Sequence, residues 1–331
     1  MRKSKLSFIF LFLVICLILV SILSIVYGSK AIRIDTLFNA IFTSNDSFEI
    51  SVVQARIPRT LFGILAGASL GVSGCLMQSI TRNPIADPSI LGINTGASLF
   101  VVIGIAFFSI SSPNQYILLG FSGAILTAIL VYAIASVGSS GATPIKLALS
   151  GAATSMALMS LVNTIMLPNS QVMDSFRFWQ VGSIGGVKWN MILALLPYFI
   201  IGLTVSFYLS SSLNTLALGD ELAAGLGINS KRVRALAAFA GVLLCGATTA
   251  LAGPIAFVGL MVPHVMRLLI GSNMQYLLPL SALGGSILLL GADIIGRVIA
   301  SPAELEVGII TAIIGAPVFI YIVRKVKIRS L

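Results

Sequence analysis

The chain has 331 residues, 57% of them hydrophobic and only 9% charged, where a soluble domain carries about 25% charged residues. That composition excludes a soluble globular fold. Lys and Arg number 20 against 10 Asp and Glu, a net charge of +10, and the placement of these charges decides what they mean.

A bilayer-crossing helix needs about 20 mainly apolar residues, because hydrocarbon cannot solvate free backbone groups and the helix satisfies its own. Charge-free runs of this kind recur along the whole sequence. The first follows Arg2, Lys3 and Lys5. It is longer than the apolar core of a signal peptide and lacks a small-x-small cleavage site, which predicts an uncleaved first span at 6–28. An outer segment from Lys30 to Arg59 mixes charges and predicts a surface helix around Thr36 to Phe42.

The second span, 60–81, carries Gly63, Gly67 and Gly71 every four residues and so on one helix face. Small residues let two helices approach closely in lipid. The stripe predicts helix packing, with a translocation face as the alternative. Further spans are predicted at 91–110, 116–137, 146–167 and 189–211. Ser111-Ser112-Pro113-Asn114 divides the longest apolar run, since such clusters break helices. Between 168 and 188 the sequence reads as a Gly-rich outer loop, with Trp179 in it and Trp189 just beyond, where indole rings suit the interface.

The inner segment 212–234 has capping chemistry: Asp220 is suited to cap a short helix, Gly227 to end it, and Asn229 or Ser230 to start the next. From chemistry alone this is either a connector or a helical knob. The last four spans fall at 235–252, 255–271, 276–296 and 306–323, with Gly253-Pro254 separating the first two. A faint echo between Ala66–Gly74 and Gly246–Gly253 suggests halves of opposite orientation, as in inverted repeats.

Ten spans with the N-terminus inside put Arg2, Lys3, Lys5, Arg82, Lys146, Lys231, Arg232, Arg234, Arg267, Arg324, Lys325, Lys327 and Arg329 in the cytoplasm, thirteen of the 20 basic residues. Lys and Arg are retained on that side. The net charge is therefore a topology signal, not a nucleic-acid footprint, and both termini are expected in the cytoplasm.

Other chemistry is sparse. No G-x-x-x-x-G-K-[ST] phosphate loop occurs, so the chain is not its own ATPase by that route. No ionisable group is expected at the midplane, where charge is costly and marks ion-coupled carriers; Asp293 falls near an outer end. His264 reads as structural, and Cys16, Cys75 and Cys245 as small apolar residues without metal-ligand spacing. No cofactor or catalytic set is predicted.

Six motifs in order resemble the FecCD family of ABC permeases, over about Arg56 to Val323. They are Arg56-Ile57-Pro58-Arg59-Thr60-Leu61, Gln78 to Gly92 (QSITRNPIADPSILG), Phe178 to Ser183, Leu218 to Gly227, Gly253 to Leu268 (GPIAFVGLMVPHVMRL) and Gly315 to Phe319. The resemblance implies an all-α membrane subunit of ten helices that pairs with a second permease subunit, identical or homologous. It also implies two cytoplasmic ATPases and an extracytoplasmic binding protein, in a bacterial plasma membrane. The cargo would be an iron-siderophore, haem or a cobalamin-like chelate, moved by ATP-driven alternating access; an ion-coupled secondary transporter is the alternative.

On the matching positions, Leu218, Gly219, Asp220, Glu221, Ala223, Ala224, Leu226 and Gly227 would couple to the ATPase. Arg56 and Arg59, with Arg297 nearby, would dock the binding protein. The plainer reading of these arginines is lipid contact, or a pair between Arg297 and Asp293 four residues earlier.

Overall fold

The computed structural model describes residues 3–28, 48–138 and 141–325. The surface helix expected at 36–42 lies outside them. Among the described residues thirteen α-helices and one 3-10 turn, with no strand, form an all-α polytopic membrane protein.

Helices occupy all ten segments expected to cross the bilayer. They are α1 (Lys3–Val26), α2 (Phe48–Ile80), α3 (Ile93–Phe108), α4 (Pro113–Ser136), α5 (Pro144–Met166), α7 (Trp189–Tyr208), α10 (Ser230–Ala252), α11 (Val258–Ile270), α12 (Met274–Ile299) and α13 (Val307–Lys325). Seven are long and apolar enough to cross a membrane; α3, α11 and α13 are shorter. Three short helices complete the set: α6 (Ser170–Gln180), α8 (Ser210–Leu216) and α9 (Asp220–Gly225).

Local sequence explains the breaks. Gln115 Oε1 accepts from the backbone N–H groups of Ser111 and Ser112 at 3.2 and 3.1 Å, fixing Ser112 as the N-cap and the start of α4 at Pro113. The segment 168–188 holds a helix that the sequence reading passed over. Asn169 caps it, its side-chain oxygen accepting from Gln171 and Val172 N–H at 3.0 and 3.2 Å. Its buried Val172 and Phe176 give α6 an inner face.

Helix α2 starts at Phe48, not near Thr60, and runs through Pro58. Charges and a proline argued for a loop there. Arg56 and Arg59 instead find partners on other helices, so this turn is held although Pro58 donates no hydrogen bond. At 33 residues and 1.5 Å per residue, α2 is about 50 Å long and links two polar ends of the molecule.

The core forms where α2 meets α10, α11 and α12. Ser286 Oγ donates to the Ile64 carbonyl at 2.7 Å across the α2–α12 seam. A methyl group at Gly67 would strike the backbone of Gly285 and Ser286, one at Gly71 the Ser281 carbonyl, and one at Gly63 the Leu290 side chain. The stripe therefore faces α12. Backbone cannot yield as a side chain can, so Gly67→Val should destabilise the protein by about 1–3 kcal/mol or more through overpacking. Gly291→Ala meets nothing within 4 Å and should be neutral or better, since Ala outranks Gly in a helix. Thermal unfolding of the two variants side by side checks this ranking.

Candidate functional site

The two polar ends of α2 carry the candidate residues. At the outer end, Arg59 pairs with Asp293 Oδ1 through Nη2 at 2.7 Å and through Nε at 3.2 Å, and with Glu304 Oε2 through Nη1 at 2.7 Å. Arg297 Nη2 reaches Asp293 Oδ2 at 2.8 Å, the i,i+4 pair weighed from the sequence. One buried carboxylate thus joins two arginines from different helices.

The same end closes α1. A helix leaves its last four carbonyls without partners inside the helix, and cations suit that end of the dipole. Arg56 Nη1 donates to the carbonyls of Ile25 and Val26 at 2.9 and 3.0 Å. Arg297 Nη1 donates to those of Ser24 and Tyr27 at 3.0 Å, while its Nη2 meets Ser24 Oγ at 3.0 Å. Thr60 Oγ1 lies 2.9 Å from the same Ser24 hydroxyl.

Of the three arginines expected to dock a partner, Arg56 and Arg297 both close the end of α1, whereas Arg59 pairs with carboxylates. Arg297 is 1% exposed, and in this conformation its guanidinium acts from beneath, through Asp293 and the end of α1. Arg59, the buried Arg56 and, at the floor, Arg297 line a cavity of about 800 Å³ that also takes in Lys188, Trp189 and Glu304. Asp293 and Glu304, the partners of Arg59, were not singled out as site residues; only Asp293 had a signal, its four-residue spacing from Arg297.

At the other end, α9 is the helical knob. Its N-cap is Gly219 without a side-chain cap, and Asp220 is its first residue. The capping role expected of Asp220 is not what the structure shows. Its carboxylate instead accepts from Arg234 Nη2 at 2.7 and 3.0 Å and from Arg82 Nη2 at 3.0 Å, tying α9 to α10 and to the turn after α2. Two cations within reach outcompete a single backbone N–H.

The knob ends as the sequence predicts. Gly227, at φ 79°, donates to the Ala224 carbonyl at 3.0 Å, and Ile228 N–H to the Ala223 carbonyl at 2.9 Å, the paired bonds of a Schellman turn that favours glycine. Asn229 then caps α10, accepting from Arg232 N–H at 3.1 Å.

Leu218, Leu222 and Leu226 are 59, 62 and 65% exposed, with Glu221, Ala224 and Gly225 also exposed. Ala223 is fully buried: its side chain faces inward, while its carbonyl closes the turn. The knob is anchored from outside the helix as well. Asn214 of α8 accepts from Met274 N–H at 2.8 Å and donates to Asn273 at 2.9 Å, fixing α8 to the start of α12. Beside it, Gln78 Oε1 accepts from Arg267 at 3.0 Å and Gln78 Nε2 donates to the Leu260 carbonyl at 3.2 Å, joining α2 to α11.

Between α2 and α3, Asp87 caps the 3-10 turn Pro88–Leu91, accepting from Ser89 N–H at 2.9 Å. Burial pushes its carboxyl above the usual range, against the opposing pull of the Ser89 hydrogen bonds.

One 33-residue helix thus bears a charged cluster at one end and has a leucine-faced knob pinned near the other. The model of the FecCD transport family matches residues 16–325. The chain belongs to that family. It is 43% identical over 325 residues to the Fe(3+)-citrate import system permease protein YfmD of Bacillus subtilis, covering 98% of this chain and 96% of that protein. It is 42% identical to the ferric enterobactin transport system permease protein FepD of Escherichia coli, covering 95 and 94%.

Among solved structures it resembles an inward-facing conformation of a metal-chelate type ABC transporter, with a TM-score of 0.82 at 29% identity, covering 97% of this chain and all of that one. A FecCD chain is a permease subunit of an ABC importer and not an enzyme, and this one is a multi-pass protein of the bacterial plasma membrane. The family also brings an ATPase and a binding protein as partners. An ion-coupled secondary transporter is set aside by that membership.

Proposed function

We propose that this subunit carries an iron(III) chelate of the siderophore or citrate type across the plasma membrane. The observation that carries the reading is the near full-length match to permeases of ferric citrate and ferric enterobactin import. The chelate enters at the Arg56 and Arg59 end from a binding protein. Two ATPases act at the α9 end of a pair of permease subunits, and both termini lie in the cytoplasm with α9. Deleting the gene in its own host should abolish uptake of one ferric chelate under iron limitation, with recovery when the gene is restored. Unchanged uptake of ferric citrate and of catecholate and hydroxamate siderophores would refute the cargo assignment.

Docking is proposed to use Arg59 and Arg56, with Arg297 holding the platform from below. In the free subunit Glu304, 38% exposed, competes for Arg59. Docking would exchange that carboxylate for one on the binding protein. Charge pairs of this kind govern encounter rate and salt dependence. Arg59→Gln should therefore weaken binding-protein affinity about tenfold and flatten its salt dependence, while Glu304→Gln should tighten it. Affinities measured in nanodiscs at two salt concentrations test the pair of signs, and a Glu304→Gln variant that binds more weakly would contradict the exchange.

A further inference from the structure

On the flank of the molecule, α4 and α10 diverge around a groove of about 360 Å³ with the 3-10 turn residue Leu91 in its floor. Ile125, Ala128, Ile129 and Tyr132 form one wall, Ala238 and Val242 part of the other. The small residues make the hollow: Ala128 and Ala238 are each 5% exposed, while Ile129 and Phe239 stand out at its rim, 60 and 51% exposed. Along α10 the groove extends from Ala235 to Leu243, which at 1.5 Å per residue is about 12 Å. That is close to one leaflet of a hydrocarbon core about 30 Å thick.

The groove is not apolar at its mouth. Lys231 lies four residues before Ala235, on the same face of α10, and its ammonium end sits beside Gly141, a few residues past the end of α4, so a cation stands at this end of the groove. It is exposed, and no salt bridge among the described residues involves it or its exposed neighbour Arg232. Lys146 sits at the same end: its Nζ donates to the Val137 carbonyl, one residue past α4, at 2.8 Å. Of the two carboxylates on the neighbouring knob, Asp220 is engaged by Arg82 and Arg234, and Glu221 is exposed with no salt bridge among the described residues.

We infer that this groove binds an anionic phospholipid, one acyl chain lying along Ala128 and Ala238 and the phosphate meeting Lys231. The apolar length fits one chain in one leaflet, and the cation at its end selects the headgroup. A zwitterionic lipid would gain the burial but not the net attraction, which is about 1 kcal/mol for each basic residue near the surface, roughly fivefold in binding. The leaflet is the cytoplasmic one on the proposed orientation, yet the site depends only on α4, α10 and Lys231 lying together. Since α10 follows directly from α9, an occupied groove would also steady the base of the knob.

The test uses the intact permease–ATPase complex in mixed nanodiscs of phosphatidylglycerol and phosphatidylcholine, released into the gas phase for native mass spectrometry. Wild type should retain phosphatidylglycerol in preference to phosphatidylcholine by about fivefold. Lys231→Gln should abolish that preference while leaving some lipid of either kind bound, and Ala238→Phe should displace both by filling the groove. Lys231→Gln alters only an exposed side chain, so it stands even where Ala238→Phe fails to assemble. Equal retention of the two lipids by wild type, or an undiminished preference in Lys231→Gln, would overturn the assignment, as would a second polypeptide found in the groove. None of these readings depends on cargo or sidedness, so the chelate proposal stands or falls separately.

Discussion

Asp293→Ala is expected to destabilise the protein by about 3–5 kcal/mol, the range for removing one partner of a buried ion pair. The carboxylate is 2% exposed, with Arg59 at 2.7 Å and Arg297 at 2.8 Å. Without it, two cations face each other with only Glu304 left to offset Arg59. Arg297 keeps its bonds to Ser24 and Tyr27, so the end of α1 should stay in place while the α2–α12 junction loosens. Asp293→Asn, which keeps the shape and one acceptor, should lose less.

A further variant separates charge from packing. Asp293→Ala combined with Arg297→Met should recover part of the loss, because removing a buried pair as a whole costs less than breaking it. Chemical unfolding of the four proteins in the same detergent gives the comparison. An Asp293→Ala protein within about 1 kcal/mol of wild type would mean that water reaches this cluster and that the pair contributes no more than a surface salt bridge.

Ala224→Arg should abolish transport while sparing the fold. Ala224 is exposed on α9 between the exposed Leu222 and Leu226. A six-residue helix is too short to persist alone because nucleation is costly. Here the Asp220 contacts and the Gly227 turn hold it ready for a partner. If α9 seats in a groove of the ATPase as proposed, an arginine placed among those leucines would enter it without a partner charge, a mismatch costing several kcal/mol, or about a hundredfold in association. Its own neighbours would not be disturbed, since Ala224 is exposed. Co-purification of the ATPase at equal permease yield reads the effect, and full ATPase binding with full transport in Ala224→Arg would reduce α9 to a connector.

The positions of the ten apolar helices were legible because hydrocarbon imposes one rule on every segment that crosses it, and the breaks at 111–114 and 253–254 use Ser, Gly and Pro in the ordinary way. The start of α2 was not. Arg56, Pro58 and Arg59 read as loop until Asp293, Glu304 and the last carbonyls of α1 are brought beside them, and those partners lie far away in sequence. Asp220 failed for the same reason. Its cap geometry is local and visible, whereas Arg82, at a separation of 138 residues, is not. Arg297 illustrates both sides: the four-residue spacing from Asp293 foretold the pair, but nothing in the spacing foretold that the side chain would be 1% exposed and serve α1. Helix α6 was missed because its eleven residues interleave Val172, Phe176 and Trp179 with Asp174, Ser175 and Arg177 and run into a Gly-rich stretch that reads as loop.

On the proposed function, this subunit moves a ferric chelate only as part of an ATP-driven assembly. The most direct measurement is uptake of radiolabelled ferric chelate into proteoliposomes holding the chain with its ATPase and partner permease subunit, with loaded binding protein outside and ATP inside. Uptake should require ATP, the ATPase and the binding protein together, and should be indifferent to a proton or sodium gradient. Chelate accumulation by the purified chain alone under an ion gradient would contradict the account.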